Sequence, residues 1–296
     1  MKNSIIEEDV DNICQEKLPW NELAHKKVFI TGARSYIANY IIRTLCRLND
    51  RMDNHTYIYA LCRDREKSRR HFGDLLDRDD FKLVCQDVCM PIDDKYRSHI
   101  LIHAASTANP KENSEKPTNV VLSNVQGFSN VLYAARNWKS EKVLLFSSGS
   151  VYGVDMPKSG AGEDYRGSVD FVDLKSCYRL SKQMSEMLGR AAIKEWDIDV
   201  RVARPFIVYG PGASYSSRKH FTDFLKNVLY GEDIELKSDG SAVRSFCYLK
   251  DTVKGIFYIL LKGVNGGGIQ CNGRTKCVQR AGIGRIVCGT KAGCKG

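Results

Sequence analysis

The sequence has no long hydrophobic run. Its longest uninterrupted apolar stretch, at about residues 256–261, is far shorter than the roughly 18 residues that a membrane-spanning helix needs, so we expect no membrane partner. Four acidic residues stand near the amino terminus, where a secretory signal peptide would be basic: Glu7, Glu8, Asp9 and Asp11. These features predict a cytoplasmic protein.

Acidic and aromatic residues are absent from the segment 263–296, which carries six Lys or Arg and ten of the 24 glycines. It supplies +6 of the formal net charge of +10, so the rest of the chain has no strongly basic character and we do not expect nucleic acid as a partner. Four of the 11 cysteines lie in this segment without the close spacing typical of zinc sites, and we predict no metal site. We predict free thiols for the other seven.

The rest of the chain alternates short apolar segments with amphipathic ones. Strands are predicted at 27–30, 57–61, 81–84, 100–103, 143–146 and 200–203, and helices most clearly at 10–18, 124–136 and 178–194. This alternation predicts an α/β fold, a Rossmann-type doubly wound parallel sheet with a smaller C-terminal substrate lobe. The predicted domains are a leader at 1–25, a dinucleotide-binding domain at 26–205, a substrate-binding lobe at 206–262 and an atypical tail at 263–296. We expect the tail to contribute little to the fold beyond one strand at 268–272.

A strand, a turn and a helix follow one another at 28–38. A dinucleotide site needs a tight turn that brings the backbone close to the pyrophosphate, and then a helix amino terminus. Gly32 suits the close approach, and Ser35 and Ala38 are small residues at the positions of the other two glycines of the usual fingerprint. The cofactor-binding residues predicted from this turn are Thr31, Gly32, Arg34, Ser35, Tyr36 and Ile37.

The residue at the end of the second strand selects between the two nicotinamide cofactors. An acidic residue there would bind the ribose hydroxyls of NAD. Arg63 can instead bind the 2′-phosphate of NADP through bidentate hydrogen bonds. Asp64 follows directly and can still reach a ribose. The predicted cofactor is therefore NADP or NAD, with NADP favoured.

Tyr178 and Lys182 stand four residues apart, on one face of a predicted helix. A phenol with a pKa of about 10 is a poor base at neutral pH, and a nearby ammonium together with an oxidised nicotinamide favours the phenolate. Ser148 follows a predicted central strand and can bind the same substrate oxygen. A Tyr and a Lys at this spacing also occur by chance, so the weight of the prediction comes from the surrounding motifs.

Taken in order, these motifs resemble the extended short-chain dehydrogenase/reductase family, which includes nucleotide-sugar epimerases, dehydratases, decarboxylases and 4-keto reductases. The resemblance covers about residues 27–262. It implies that Ser148, Tyr178 and Lys182 are catalytic, and that Arg244 and Ser106 join Ser148 in binding a nucleotide-linked sugar. The further cofactor-binding residues that it implies are Asp87, Val88, Ala104, Ala105, Tyr178, Lys182 and Arg204.

Two positions separate the chemistries within this family. The 4,6-dehydratases carry an Asp-Glu pair after the catalytic hydroxyl residue, where this chain has Gly149 and Ser150, and the decarboxylases carry a Glu where this chain has Ser150. The remaining reactions are 4-keto reduction and 4-epimerisation. Arg63 favours the reductase, because NADPH is the usual reducing pool.

The expected function is reduction of the 4-keto group of a dTDP-linked 4-keto-6-deoxyhexose, with UDP-sugars as the next choice. The segment 237–241 before Arg244 resembles enzymes of bacterial surface-polysaccharide clusters. Two alternatives stay open: a nucleotide-sugar 4-epimerase with bound NAD, and a non-catalytic NAD(P)-binding relative. The family resemblance also implies a homodimer formed through two helices of each subunit.

Overall fold

A computed structural model describes residues 4–106, 110–157, 160–213, 220–233, 243–271 and 278–279. The helices in these ranges are α1 Ser4–Cys14, α2 Tyr36–Met52, α3 Arg65–His71, α4 Pro110–Glu115, α5 Pro117–Trp138, α6 Cys177–Trp196, α7 His220–Tyr230 and α8 Leu249–Lys262. The strands are β1 Lys27–Thr31, β2 Tyr57–Cys62, β3 Phe81–Cys85, β4 Ile100–His103, β5 Lys142–Phe146, β6 Val200–Pro205, β7 Ile207–Tyr209, β8 Val243–Arg244, β9 Phe246–Tyr248, β10 Gly268–Cys271 and β11 Val278–Gln279.

Seven strands form one sheet in the order β10-β6-β5-β4-β1-β2-β3, and every neighbouring pair is parallel. The chain builds outward from β1 to β3 and then crosses back, so β4 lies on the other side of β1. Ligands of such sheets bind beyond the carboxyl ends of the strands where this reversal occurs. The predicted doubly wound parallel sheet is confirmed, and its topology places the candidate site beyond β1 and β4.

Two apolar layers cover the sheet. One contains buried residues of α1, α2 and α8, and the other contains buried residues of α5 and α6. The strand β5 explains why both layers form, since four of its five residues are buried and alternate between the two faces. An unbroken apolar strand of this kind is typical of a parallel sheet that is covered on both sides.

The amino-terminal segment is part of the core. Its helix spans Ser4–Cys14 rather than the predicted 10–18, because Glu16 and Lys17 leave the helix and a short 3-10 turn at Trp20–Leu23 follows. The side chains of Ile13 and Leu23 are completely buried in the layer that holds α2 and α8. Residues 4–25 therefore pack against the apolar layer that contains α2 and α8.

The end of the described chain adds one strand to the main sheet. Strand β10 lies beside β6, and its last residue, Cys271, is buried. The strand expected at 268–272 is thus present at Gly268–Cys271. A second strand of the tail, β11, pairs with β8, whereas the sequence predicted only one. The remaining predictions for the tail fall on residues 272–277 and 280–296, which lie outside the described residues.

Helices α5 and α6 pack against each other and also present large apolar side chains to solvent. The exposed set on these two helices is Val121, Leu122, Tyr133, Met184 and Met187. These residues fit the predicted dimer surface, and the dimer itself stays a prediction. Among the described helices, none combines the length and the apolar character that crossing a membrane requires.

The first helix offers a test of its place in the core. We expect Ile13→Ala to lower the free energy of unfolding by about 2–5 kcal/mol, because Ile13 is completely buried and its truncation leaves a cavity. The matched control is Ile5→Ala on the same helix, where the side chain is 52% exposed and the change should be small. Urea unfolding of both variants is the measurement. An equally small effect at Ile13 would mean that α1 does not belong to the core.

Candidate functional site

The turn after β1 brings the chain against the end of β4. Gly32 has a φ of +61°, and a Cβ at this position would lie 2.5 Å from Ala105 Cα, so only glycine fits. The Thr31 hydroxyl accepts a hydrogen bond from the Ala105 N–H at 3.2 Å and lies 3.0 Å from His103 Nδ1. Ala104 is buried behind this contact. The predicted cofactor residues of β1 and β4 thus meet at one point.

The amino terminus of α2 faces this turn. Ser35 takes the N-cap position, but its side chain forms no cap hydrogen bond in the described structure. The first N–H groups of a helix lack partners within the helix, and they make a site for anions. The Tyr36 ring lies under the loop after β7, since a Cβ built on Gly210 would lie 3.2 Å from Tyr36 Oη. Ile37, the second residue of α2, is half-buried and packs against the core.

Two arginines lie near the carboxyl end of β2. Arg63 is exposed directly after the strand, and its charge acts on the Cys89 thiol beyond β3. Arg34 is also exposed, and its charge reaches Asp64 and Cys62. Asp64 itself caps α3 by accepting the Lys67 N–H at 3.0 Å. Two exposed guanidinium groups therefore lie at this edge, and they fit an anionic substituent.

Asp87 and Val88 follow β3, beside the same edge. The Asp87 carboxylate accepts the Cys89 N–H at 2.9 Å, which fixes the loop. Val88 is buried, and a Cβ on Gly127 of α5 would lie 2.9 Å from its side chain. The glycine in α5 therefore allows the helix to approach the loop that holds Asp87.

Ser106 and Ser148 follow the carboxyl ends of β4 and β5, and Tyr178 lies near the start of α6. Burial raises the pKa of Tyr178, while the hydroxyls of Ser148 and Ser106 lower it by a smaller amount. Ser148 caps a short 3-10 turn by accepting the Ser150 N–H at 3.1 Å. The raised pKa differs from the phenolate expected from the sequence, because burial outweighs the neighbouring groups. Tyr178 is thus set to hold a proton.

Lys182 lies one helical turn beyond Tyr178 and is almost completely buried. Its ammonium donates a hydrogen bond to the Phe146 carbonyl at 2.7 Å and lies 5.9 Å from the centre of the Tyr178 ring. Burial lowers the pKa of Lys182 to about 7, and Glu186 acts in the opposite direction. Its charge therefore depends on the pH in the neutral range.

Arg204 is placed differently from its predicted role in cofactor binding. Its guanidinium forms two hydrogen bonds with the Glu186 carboxylate, at 2.8 and 2.6 Å, and donates to the Tyr152 hydroxyl at 2.8 Å and the Glu163 carbonyl at 2.7 Å. All three nitrogens are thus engaged inside the protein, and Arg204 supports α6 and the loop after β5. Sequence reasoning missed Glu186, although its place four residues after Lys182 on one helix face was a usable signal.

Arg244 lies on a strand outside the main sheet. It is exposed, at the end of the two-residue strand β8, which pairs with β11. Strand β9 follows and pairs with β7, which continues from β6. The described structure therefore positions the Arg244 segment beside the carboxyl end of the sheet, and its role in substrate binding stays a prediction.

The residues around β1 and α2 fit a dinucleotide. The α2 amino terminus lacks a side-chain cap in the described structure, and the Tyr36 hydroxyl is buried without a hydrogen-bond partner there. The Lys182 ammonium has three N–H groups, one of which donates to the Phe146 carbonyl. Phosphate oxygens and ribose hydroxyls supply the acceptors that such groups need. Gly32 and Asp87 complete the set at the ends of β1 and β3.

Comparisons with known proteins support this assignment. The model of the NAD dependent epimerase/dehydratase family matches residues 28–271. UDP-glucuronic acid decarboxylase 1 of Xenopus tropicalis is 26% identical over 247 residues, which is 83% of this chain; the chain spans 56% of that relative's length. The chain also shares its fold with two bacterial structures at 18% and 19% identity.

The first structure is a dTDP-glucose 4,6-dehydratase of Bacillus anthracis in complex with NAD, with a TM-score of 0.75 over 89% of this chain and 80% of that one. The second is a UDP-glucuronic acid 4-epimerase of Bacillus cereus in complex with UDP-glucuronic acid and NAD, with a TM-score of 0.75 over 90% of this chain and 84% of that one. The family resemblance predicted from the motifs is confirmed.

Gly32 offers a test of the turn. We expect Gly32→Ala to lower both the free energy of unfolding and the affinity for NADPH, the latter about tenfold or more, or ~1.4 kcal/mol. The control is Gly231→Ala, since Gly231 has a similar φ of +70° but open space around its Cβ. That variant should show only the strain of a left-handed residue, about 1–2 kcal/mol. Chemical unfolding and cofactor titration measure both effects, and equal losses in the two variants would rule out the close approach to Ala105.

Proposed function

The chain belongs to the NAD dependent epimerase/dehydratase family, and from this premise we propose that it reduces the 4-keto group of a nucleotide-linked 4-keto-6-deoxyhexose with NADPH. The observation that carries the proposal is the placement of Tyr178 beside the buried ammonium of Lys182, which lies 5.9 Å from the centre of the Tyr178 ring, with Ser148 following the end of β5. This arrangement holds one carbonyl oxygen and gives it one proton. It contains no second acid or base for an elimination.

The residues after Ser148 support the choice of reaction. Gly149 is buried against Phe206, and a Cβ at this position would lie 2.7 Å from the Phe206 ring. An aspartate, which the family resemblance implies for 4,6-dehydratases, does not fit unless the ring moves. Ser150 stands where the same resemblance implies a glutamate in decarboxylases. At these two positions, the chain therefore lacks the acids that the resemblance implies for dehydration and decarboxylation.

Each side chain has a defined task in the proposed reduction. When bound, the nicotinamide supplies the hydride that adds to the sugar carbonyl carbon. Tyr178 donates the proton to the carbonyl oxygen, and its raised pKa keeps that proton available. Ser148 and Ser106 orient the oxygen by hydrogen bonding. Lys182 binds the ribose next to the nicotinamide and supplies positive charge below Tyr178.

The binding ends of the substrate and the cofactor follow from charge. Arg244 is the candidate partner for the diphosphate of a dTDP- or UDP-sugar, because a guanidinium matches phosphate oxygens in a two-pronged way. Arg63 and Arg34 offer the same chemistry to the 2′-phosphate of NADP. Asp87 is the candidate contact for the adenine. The dTDP-linked sugar is our first choice of substrate.

A nucleotide-sugar 4-epimerase is the second candidate. The same Tyr178 and Lys182 would act on the sugar hydroxyl in one direction and on the carbonyl in the other. One comparison favours it, since the Bacillus cereus structure with the same fold is a UDP-glucuronic acid 4-epimerase bound to NAD. A non-catalytic cofactor-binding role is less well supported, because Ser148, Tyr178 and Lys182 are all present and close together.

A panel of substrates separates these functions. The protein is mixed with NADPH and, in turn, a dTDP-4-keto-6-deoxyhexose, the corresponding UDP-sugar, and UDP-glucose without added cofactor. Consumption of NADPH with a keto sugar supports the reductase. Conversion of UDP-glucose to its C4 epimer without net change in the cofactor would contradict the reductase and support the epimerase. No turnover of any kind would favour the non-catalytic role.

Tyr178 should be needed for turnover and not for cofactor binding. We expect Tyr178→Phe to lower kcat by roughly 10²–10⁴-fold, because the phenol is the proton donor, while NADPH affinity stays within a few-fold. Steady-state kinetics and fluorescence titration measure the two quantities. The control is Tyr230→Phe on α7, where the ring is 72% exposed. A nearly normal rate in Tyr178→Phe would remove Tyr178 from the mechanism.

Arg63 should determine the choice of cofactor. We expect the wild type to prefer NADPH over NADH and Arg63→Ala to reduce this preference at least tenfold, since hydrogen bonds to charged groups contribute about 1.5–3 kcal/mol. Arg69→Ala, which removes an exposed arginine at the far end of α3, is the control. Both cofactors are titrated into each protein. Tighter binding of NADH by the wild type would contradict the NADP assignment and would favour the epimerase.

A further inference from the structure

Behind the candidate catalytic residues lies a buried group of polar side chains, the Glu186 cluster, which consists of Ser147, Glu186 and Arg204. All three residues are less than one tenth exposed. The Ser147 hydroxyl donates to Glu186 Oε1 at 2.5 Å, and Arg204 binds both carboxylate oxygens. The carboxylate is thus held from two sides, by β5 and by β6.

The position of the cluster relates it to the reaction. Tyr178, Lys182 and Glu186 follow one another at four-residue steps along α6, so they share one face of the helix. Ser147 directly precedes Ser148, the candidate catalytic serine. Ser147 is therefore one residue, and Glu186 one helical turn, away from a candidate catalytic group, and Arg204 of β6 binds Glu186.

A buried ammonium needs compensation for the hydration it has lost. In the described structure, the Lys182 ammonium donates a hydrogen bond to the Phe146 carbonyl, which carries only a partial charge. Among the carboxylates, Glu186 is the one whose charge acts on Lys182. Arg204 and Ser147 donate three hydrogen bonds to this carboxylate, and these hydrogen bonds hold its orientation.

We propose that Glu186 is a positioning residue, whose carboxylate, fixed by Arg204 and Ser147, keeps the Lys182 ammonium charged and in place below Tyr178. The inference rests on the proposed function, in which a charged Lys182 supports proton donation by Tyr178. It gives Glu186 a role in the reaction without any contact with substrate.

The other groups around Lys182 do not replace this carboxylate. His103 faces Lys182 from β4, and burial together with the Lys182 charge holds the pKa of His103 well below its usual range, so its ring is neutral. The phenol of Tyr178 is also neutral, because burial raises its pKa. From β6 comes only Arg204, a cation already paired with Glu186. From α5 comes Asn124, which is uncharged and bonded to Ser181.

The sign of the effect follows from these charges. Lys182 is charged below its pKa, which burial lowers to about 7 against the opposing effect of Glu186. Loss of the Glu186 charge lowers this pKa further, so the ammonium loses its proton at a lower pH. In a plot of the rate against pH, the fall in rate on the alkaline side should therefore move to lower pH together with the pKa of Lys182.

The test follows the protonation of Lys182 directly in the full-length protein. Lysine labelled with an NMR-active carbon at Cε reports the titration of each ammonium group, and the Lys182 signal is identified by its loss in Lys182→Arg. We expect the midpoint in Glu186→Gln to fall by about one pH unit or more. Glu186→Asp, which keeps the charge, should restore most of the wild-type value. Glu195→Gln, at an exposed glutamate of the same helix, is the matched control and should change nothing.

A double variant guards against a failure to fold. Glu186→Gln leaves Arg204 buried without its partner, so Glu186→Gln/Arg204→Gln removes both charges together. The proposal predicts that the Lys182 midpoint stays low in this variant. A wild-type midpoint in the folded double variant would overturn the proposal and leave Glu186 with a purely structural role. Because the titration needs no substrate, a lowered midpoint in a protein that turns over no sugar would refute the proposed function and not this inference.

Discussion

The buried ammonium of Lys182 is the constraint on which the site depends. A charge with almost no exposure is unfavourable unless other groups compensate for its lost hydration. Here the compensation comes from the end of β5 and from the helix that carries Lys182 itself. The sheet therefore does more than support the site, because its parallel strands bring a carbonyl, a serine and an arginine to the one place where the charge is buried.

This constraint explains the arrangement of α6. The helix must present a phenol, an ammonium and a carboxylate on one face, and it must lie close enough to β5 and β6 for Ser147 and Arg204 to bind Glu186. Gly189 on the same helix allows this approach, since a Cβ there would lie 3.1 Å from the Val200 side chain of β6. The chemistry of the site is thus tied to the packing of one helix on the sheet.

Much of the fold and part of the site could be predicted from the sequence, and the misses have physical causes. The sheet was predictable because its strands are short apolar runs, and Tyr178 and Lys182 were predictable because helix spacing places them together. Helix α1 was misplaced because its apolar residues continue past the point where the helix ends. Arg204 was assigned to the cofactor because a sequence does not show which buried partner a guanidinium will take.

Within this family, the proposed chemistry depends on what surrounds a shared Tyr and Lys. A Cβ on Gly149 would lie 2.7 Å from the Phe206 ring, and Ser150 has a short side chain, so neither position carries an acid. The fold is shared with proteins at 18% and 19% identity and a TM-score of 0.75, and the same sheet can carry different residues beyond the carboxyl ends of its strands. Substrate specificity is therefore expected to depend on a few loop residues and on the charge of Lys182.

The most direct test of the proposed reduction is to follow the hydride that is transferred from NADPH to the sugar. The protein is incubated with a dTDP-4-keto-6-deoxyhexose and NADPH that carries deuterium at the transferable position of its nicotinamide, and the product is analysed by NMR. If the protein is a 4-keto reductase, we expect deuterium bonded to C4 of the sugar, one atom for each NADPH oxidised. A product without deuterium at C4, or release of carbon dioxide from UDP-glucuronic acid by the same protein, would contradict it.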